Sequence, residues 1–298
     1  MKLNIVGAGA VGLLLASGFS DAGFKVRVLT RTEEQAALLR KEGVCMERDG
    51  IRHRFQVDAS ADPADWNGEN PAILAMKSYD LKEFLDLHAA AMEKSPLLFV
   101  QNGVAHLEWA GSLQNPEIAF ATVEHGAMRI DGRTVRHTGT GPLRMAADRG
   151  ASFLELLAAA DSPWFPVRIE EDPEKLLFTK AMKNAVINPI TAILGVPNGT
   201  IASDPGLSRL AGLVHGELSA AFPELSGSVP MEDVLDLCRR TAGNESSMLA
   251  DLRNGRRTES DAILGGLIRE AERRDCPVPL LAGLAEMVAF KERRGRHV

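Results

Sequence analysis

Between Leu3 and Ile169 short apolar runs alternate with longer segments of helical spacing. The runs at Leu3–Val6, Lys25–Thr30, Ile51–Val57, Pro71–Met76, Pro96–Val100, Ile118–Val123, Ala127–Ile130 and Trp164–Ile169 have the length and apolar character of strands. Segments at Leu13–Phe19, Leu81–Glu93 and Ala151–Ala160 read as helices, and Asp131-Gly132 marks a hairpin turn. Such alternation predicts a mostly parallel, doubly wound sheet. Glu170-Glu-Asp-Pro173 breaks the pattern, and no convincing strand follows. Helical segments are expected at Lys175–Asn188, at Leu207–Phe222, Met231–Gly243, Ser247–Arg253, Glu259–Arg274 and Leu280–Arg294, the first of them either ending or kinking at Pro189. The expected fold class is therefore α/β, with a doubly wound domain over residues 1–170 and an all-helical domain over residues 171–298. A pair of this kind leaves a cleft between its domains, a usual place for a substrate.

Two stretches carry candidate chemistry. Gly7-Ala8-Gly9-Ala10-Val11-Gly12 lies between the first strand and the first helix. This Gly-x-Gly-x-x-Gly spacing suits a Rossmann-type dinucleotide site: Gly7 for a tight turn, Gly9 for approach of a pyrophosphate, Gly12 for close packing of helix on strand. The helix N-terminus then offers free N–H groups and the positive end of its dipole to the phosphates. An NAD site would want Asp or Glu after the second strand, whereas Thr30-Arg31-Thr32 stands there. A guanidinium suits a 2′-phosphate, so the expected cofactor is NADP(H); the alternative leaves Arg31 at the surface and gives the ribose to Glu33 or Glu34. Lys77 and Asn102 each follow a strand, where a cofactor lies in such sheets, although either also fits an ordinary turn. His125 reads as structural.

The second stretch is Lys180-Ala-Met-Lys-Asn184-Ala-Val-Ile-Asn188-Pro189. Lys180, Asn184 and Asn188 recur every fourth residue, a drift of about 40° per step, and so share one face of a helix otherwise suited to a core. Buried amine and amide groups need partners. A solvated helix edge is the plain alternative.

Composition removes several function classes. The balance of 45% hydrophobic and 25% charged residues is that of an ordinary soluble globular protein. A formal net charge of −6 offers no general basic surface for nucleic acid. Cys45, Cys238 and Cys276 are far apart without a Cys-x-x-Cys, which fits a reducing compartment. No metal-ligand spacing, membrane-length apolar run or signal-peptide pattern occurs, so a cytoplasmic location is expected. The basic tail from Lys291 to Val298 reads as the solvated end of a last helix, and Trp66, Trp109 and Trp164 read as packing. Exposed apolar helical surface in the second domain is compatible with a homodimer.

The motifs together resemble one family. Gly7–Gly12, Arg31, Lys77, Gln101-Asn102-Gly103, Lys180 with Asn184 and Asn188-Pro189, Pro197-Asn198-Gly199, Asn244-Glu-Ser-Ser247-Met-Leu-x-Asp251 and Arg257-Thr258-Glu259 look like ketopantoate reductase (2-dehydropantoate 2-reductase), in order and across essentially the whole chain. The resemblance implies NADPH-dependent reduction of ketopantoate in pantothenate and coenzyme A biosynthesis, with a small 2-oxo acid as substrate. It implies phosphate binding by Gly7 to Gly12, the 2′-phosphate on Arg31, Lys77 by the adenosine end, Asn102 touching cofactor and substrate, and a backbone contact from Ala127 to the nicotinamide. It makes Lys180 the proton donor, Asn184, Asn188, Asn198 and Ser247 substrate binders with Asn244 nearby, and Glu259 an orienting acid that also contacts the cofactor. Without the resemblance, Ser247 or Asn244 reads as a helix N-cap, and Glu259 as a dipole partner at a helix start. A relative acting on another 2-oxo acid, or an NADP(H)-binding sensor without turnover, are the alternative functions.

Overall fold

A computed structural model of the chain describes residues 1–65, 68 and 70–295; Trp66 and the last three residues of the basic tail lie outside the described residues. The order of elements begins β1 (Lys2–Val6), α1 (Ala10–Asp21), β2 (Lys25–Leu29), α2 (Glu33–Glu42), β3 (Val44–Arg48), β4 (Ile51–Phe55), β5 (Asp58–Ser60), β6 (Ala72–Leu74), α3 (Ser78–Met92), β7 (Leu97–Phe99) and α4 (His106–Gly111). It continues β8 (Ile118–Val123), β9 (Gly126–Arg129), β10 (Thr134–Gly139), β11 (Leu143–Arg149), α5 (Ser152–Ala158) and β12 (Val167–Glu170). Helices follow: α6 (Pro173–Leu194), α7 (Gly199–Ser203), α8 (Pro205–Ala221), α9 (Met231–Arg240), α10 (Ser247–Arg253), α11 (Gly266–Arg273) and α12 (Pro279–Gly295), with a π-helical turn at Asp261–Gly265 just before α11.

The chain divides into two compact units, Met1–Gln101 with His106–Leu176, and Asn102–Ala105 with Leu177–Val298. The sequence pattern placed one boundary near residue 170; the contacts place it inside α6 and add Asn102–Ala105 to the second unit.

In the first unit an eight-stranded sheet runs β12-β11-β8-β7-β6-β1-β2-β5. Every pair is parallel except β8 with β11. Strand order reverses at β1, whose neighbours are β2 and β6, so the carboxyl end of β1 is a switch point of the kind where open α/β sheets bind ligands. A second, four-stranded sheet, β4-β3-β10-β9, was not expected from the pattern. Ile51–Val57 reads in sequence as one more strand, but Asp49 at φ 52° and Gly50 at φ 76° turn β3 straight back into β4, and β10 then joins β3 in parallel. This sheet explains why every residue of α1 from Gly12 to Phe19 is buried. The helix touches β1 and β2 of the large sheet and β3, β9 and β10 of the small one, so it has apolar neighbours on both sides. β12 begins at Val167, not Trp164, because Ser162 and Phe165 exchange backbone hydrogen bonds in a turn.

In the second unit α6 runs through Pro189 to Leu194, with Ala181, Met182 and Ala185 to Ala192 buried. Glu217 of α8 accepts hydrogen bonds from the N–H groups of Leu280 (2.9 Å) and Leu281 (3.1 Å), supplying acceptors that the first turn of α12 lacks internally. Among the described residues no helix is long and apolar enough to cross a membrane, and no group of three or more His, Cys, Asp or Glu is placed to hold a metal.

Candidate functional site

The candidate residues fall into two sets, one in each unit. In the first, β1 ends at Val6 and the Gly7 N–H donates to the Leu29 carbonyl (2.9 Å). Gly7 has φ +105°, and a Cβ there would lie 2.8 Å from the Met76 nitrogen. A Cβ on Gly12 would lie 1.8 Å from the Gly7 carbonyl oxygen. Both positions therefore demand glycine for the loop to fold back over the strand end. Gly9 differs: nothing lies within 4 Å of where its Cβ would be, so its backbone faces open space. Gly9 is also the N-cap of α1, without a side-chain cap, and no acidic residue stands in the first turn. Exposed donors, a positive dipole end and no competing carboxylate make a fit for a pyrophosphate. Ala8 is buried, while Ala10 and Val11 are half-buried.

Arg31 follows β2 and is 78% exposed, and its guanidinium donates to the Asp80 carboxylate in the first turn of α3 (2.7 Å). Glu33 pairs with Arg40 on α2, and the Thr32 hydroxyl caps α2 by accepting from the Gln35 N–H (3.3 Å). Lys77 is half-buried and immediately precedes α3. Gln101 is buried at the end of β7, where its amide donates to the carbonyls of Leu74 (2.6 Å) and Met76 (3.2 Å). It ties down the strand end on which Gly7 packs. The sequence holds no local sign of Asp80 or Gln101 in these roles, because both partners are distant along the chain.

Ala127 is half-buried in β9, paired directly across from His137 of β10. His125, two residues before it, shares a hydrogen bond with His137, Nδ1 to Nε2 at 3.1 Å. The Phe165 ring stacks on His125 with centroids 5.3 Å apart, and Trp164 lies edge-on to His137. Burial, followed by the neighbouring His137, pushes the His125 imidazole down to about 4. Burial also lowers His137, reinforced by the Arg48 cation and opposed by a backbone hydrogen bond at Gly139 and by Asp49. The two imidazoles thus form a hydrogen-bonded, aromatic-packed pair in which burial disfavours the charged form of each.

The second set lies on α6 and the helices after it. Lys180, Asn184 and Asn188 keep the spacing of four along one unbroken helix; Lys180 and Asn184 are half-buried and Asn188 is buried. Asn102 belongs to this unit, and its Nδ2 donates to Glu259 Oε2 at 3.0 Å. Glu259 is 7% exposed. It is thus a buried carboxylate with an amide partner, not a solvated dipole partner; Arg256, three residues before it, bonds to Asp251 (2.9 Å). Asn198 donates from Nδ2 to the Thr241 hydroxyl (3.0 Å), while its N–H bonds to the Asn244 carbonyl (2.9 Å). Its buried Oδ1 has no hydrogen-bond partner among the described residues. Asn244 and Ser247 are exposed. Neither caps α10: the cap is the buried Ser246, whose hydroxyl accepts from the Leu249 N–H (3.2 Å) and meets the Thr191 hydroxyl of α6 (2.8 Å). Choosing among adjacent Ser246 and Ser247 needed the helix phase, which the sequence does not fix to one residue.

Family models described as ketopantoate reductase PanE/ApbA and ketopantoate reductase PanE/ApbA, C terminal, match residues 3–150 and 173–292. The chain is 35% identical over 277 residues to the 2-dehydropantoate 2-reductase of Bacillus subtilis, covering 91% of each chain. It is 33% identical over 304 residues to that of Listeria innocua, covering 100% of this chain and 99% of the relative. A solved PanE/ApbA family ketopantoate reductase from Ralstonia eutropha superposes with a TM-score of 0.83 at 27% identity, covering 100% of both.

Proposed function

Because the chain belongs to the ketopantoate reductase family, we propose that it reduces 2-dehydropantoate to pantoate with NADPH, as an oxidoreductase of pantothenate biosynthesis in the cytoplasm. The first unit serves as the NADP(H)-binding half and the second as the substrate half. The observation that carries this reading is the buried Glu259 carboxylate bonded to Asn102, in the same unit as the Lys180, Asn184 and Asn188 stripe.

The backbone of Gly7, Ala8, Gly9, Ala10, Val11 and Gly12 takes the pyrophosphate, Arg31 the 2′-phosphate and Lys77 the adenosine end, while Ala127 offers backbone to the nicotinamide. When bound, NADPH supplies the hydride that the ketone carbon accepts. Negative charge then grows on the ketone oxygen, and the Lys180 ammonium stabilises it and gives up a proton there. Asn184, Asn188, Asn198 and Ser247, with Asn244 nearby, offer neutral donors to the carboxylate and hydroxyl of the substrate. Glu259 fixes Asn102, which touches both ligands, and itself reaches the cofactor. The partner is a small 2-oxo acid, without nucleic acid; exposed Leu213, Met287 and Phe290 leave apolar helical surface for a homodimer.

The test follows NADPH oxidation with ketopantoate beside a panel of 2-oxo acids. The expected result is a kcat/KM for ketopantoate about a hundredfold above the others. A flat or shifted profile moves the substrate, and NADPH binding without turnover of any 2-oxo acid refutes the enzyme reading. Lys180→Ala is expected to abolish most turnover with NADPH affinity nearly intact; undiminished activity would refute its role.

A further inference from the structure

The π-helical turn at Asp261–Gly265 begins two residues after Glu259, with Ser260 as its N-cap. Such turns are rare, and they disturb the regular ladder of helical hydrogen bonds, often beside functional groups. Here the turn receives the segment that carries Asn102. The Val104 N–H donates to the Ala262 carbonyl at 3.2 Å. Gly103 lies between, with φ +85°, and a Cβ on it would stand 2.0 Å from the Ala262 oxygen and 2.4 Å from its carbon. One turn on, a Cβ on Gly266 would stand 2.8 Å from Val104 Cγ2. The far side of the acid is held as well, since the N–H and hydroxyl of Thr258 both bond to the Glu292 carboxylate. Glu259 is thereby fixed through its own backbone, and Asn102 is fixed by a close backbone approach that only glycine permits.

This arrangement decides which end of the Asn102 amide a ligand meets. Nδ2 faces Glu259 Oε2, the orientation an ionised carboxylate requires because it accepts and cannot donate, and Oδ1 points elsewhere. Loosening the segment frees the amide to turn over and present the wrong group.

We propose that Gly103, seated on the Ala262 carbonyl of the π-helical turn, is a positioning residue for the reaction, holding the Asn102 amide in one orientation against Glu259. This rests on the reductase reading only for its kinetic consequence; the geometry stands apart from the substrate.

The test uses the full-length protein and the variants Gly103→Ala, Gly266→Ala, Asn102→Ala and Glu259→Gln, with Gly103→Ala/Asn102→Ala and Gly266→Ala/Asn102→Ala. The Asn102 side-chain amide is observed by ¹⁵N NMR and identified by its absence in Asn102→Ala. It is expected to shift on Glu259→Gln in the parent protein and to move toward solvent-exposed values in Gly103→Ala. An unmoved signal overturns the proposal, whether or not ketopantoate is the substrate. Kinetically, Gly103→Ala is expected to lose about tenfold to a hundredfold in kcat/KM, the cost of one misdirected hydrogen bond to a charged group. Affinity for 2′,5′-ADP, which reaches only the Arg31 and phosphate-loop end, stays unchanged. The double variant should be no worse than Asn102→Ala alone; losses that multiply would mean Gly103 acts independently of Asn102 and overturn the proposal. Should Gly103→Ala not fold, Gly266→Ala presses only on the end of the Val104 side chain, and it is expected to give the same signal movement and the same non-additivity to a smaller degree. A parent protein with no turnover fails the reductase reading and leaves the NMR arm to decide this one.

Discussion

The His125–His137 pair makes the first unit sensitive to acid in a window set by its own geometry. A histidine has an ordinary value near 6.5, and burial holds His125 at about 4 in the folded protein. Between those values the unfolded chain binds a proton that the folded chain does not, so stability rises with pH across this window. Above 6.5 both states are neutral and below about 4 both are protonated, so the slope vanishes outside it. At 1.36 kcal/mol per unit the full penalty is roughly 3 kcal/mol, of which about 2 kcal/mol has accrued on going from pH 7 to pH 5. His137, lowered first by burial and then by Arg48, adds in the same direction. Carboxylates held low by partners, such as Asp161 by the Val167 N–H and Arg168, lose their contribution only below their unfolded values near 4. They blur the acid end of the window and leave pH 5 to 7 to the imidazoles. The perturbation is His125→Gln, which keeps a polar partner for His137 and does not titrate. Urea unfolding is followed by tryptophan fluorescence, since Trp109 and Trp164 belong to the first unit. The parent protein is expected to lose about 2 kcal/mol more than the variant between pH 7 and pH 5. Superimposable pH dependences would refute the reasoning, whatever the variant does to absolute stability.

Asp80→Asn removes the carboxylate that holds Arg31 and would compete with a 2′-phosphate for it; NADPH affinity is expected to rise a few-fold with NADH affinity unchanged, measured by fluorescence titration, and equal changes for both cofactors would refute it. Glu217→Ala leaves the Leu280 and Leu281 N–H groups without their carboxylate and is expected to lower stability by about 1–2 kcal/mol; thermal melting checks it, and no change in Tm would show that water replaces the carboxylate at no cost.

What the sequence made legible was whatever the backbone demands of a single residue or a short spacing. Gly7 and Gly12 are required by a turn and a close approach confined to one loop, and both can be read from six consecutive letters. The Lys180, Asn184 and Asn188 stripe follows from helix geometry alone. Failures came where two segments distant in sequence meet. The small sheet was missed because β3 and β10 pair in parallel across nearly ninety intervening residues, and nothing in Val44–Arg48 announces that partner. β9 reads as a continuation of the strand before it, and Thr134–Gly139 is not read as a strand at all, until α1 needs a second apolar ceiling.

The same limit separates a residue's identity from its role. Glu259 beside two arginines, at the start of a helical pattern, reads as a surface acid, and local spacing offers no better account. Its burial and its bond to Asn102 join positions 157 residues apart. Gln101 and Asn102 are neighbours along the chain, yet one side chain is tied to strand-end carbonyls of the first unit and the other to a carboxylate of the second. A stretch that looks like an ordinary Gln-Asn-Gly turn is therefore one of the places where the chain passes from one unit to the other, and its glycine packs on a carbonyl of the π-helical turn. Turn chemistry accounts for the choice of glycine at 103 through its φ of +85°, and the packing of Ala262 adds a clash that no local pattern announces.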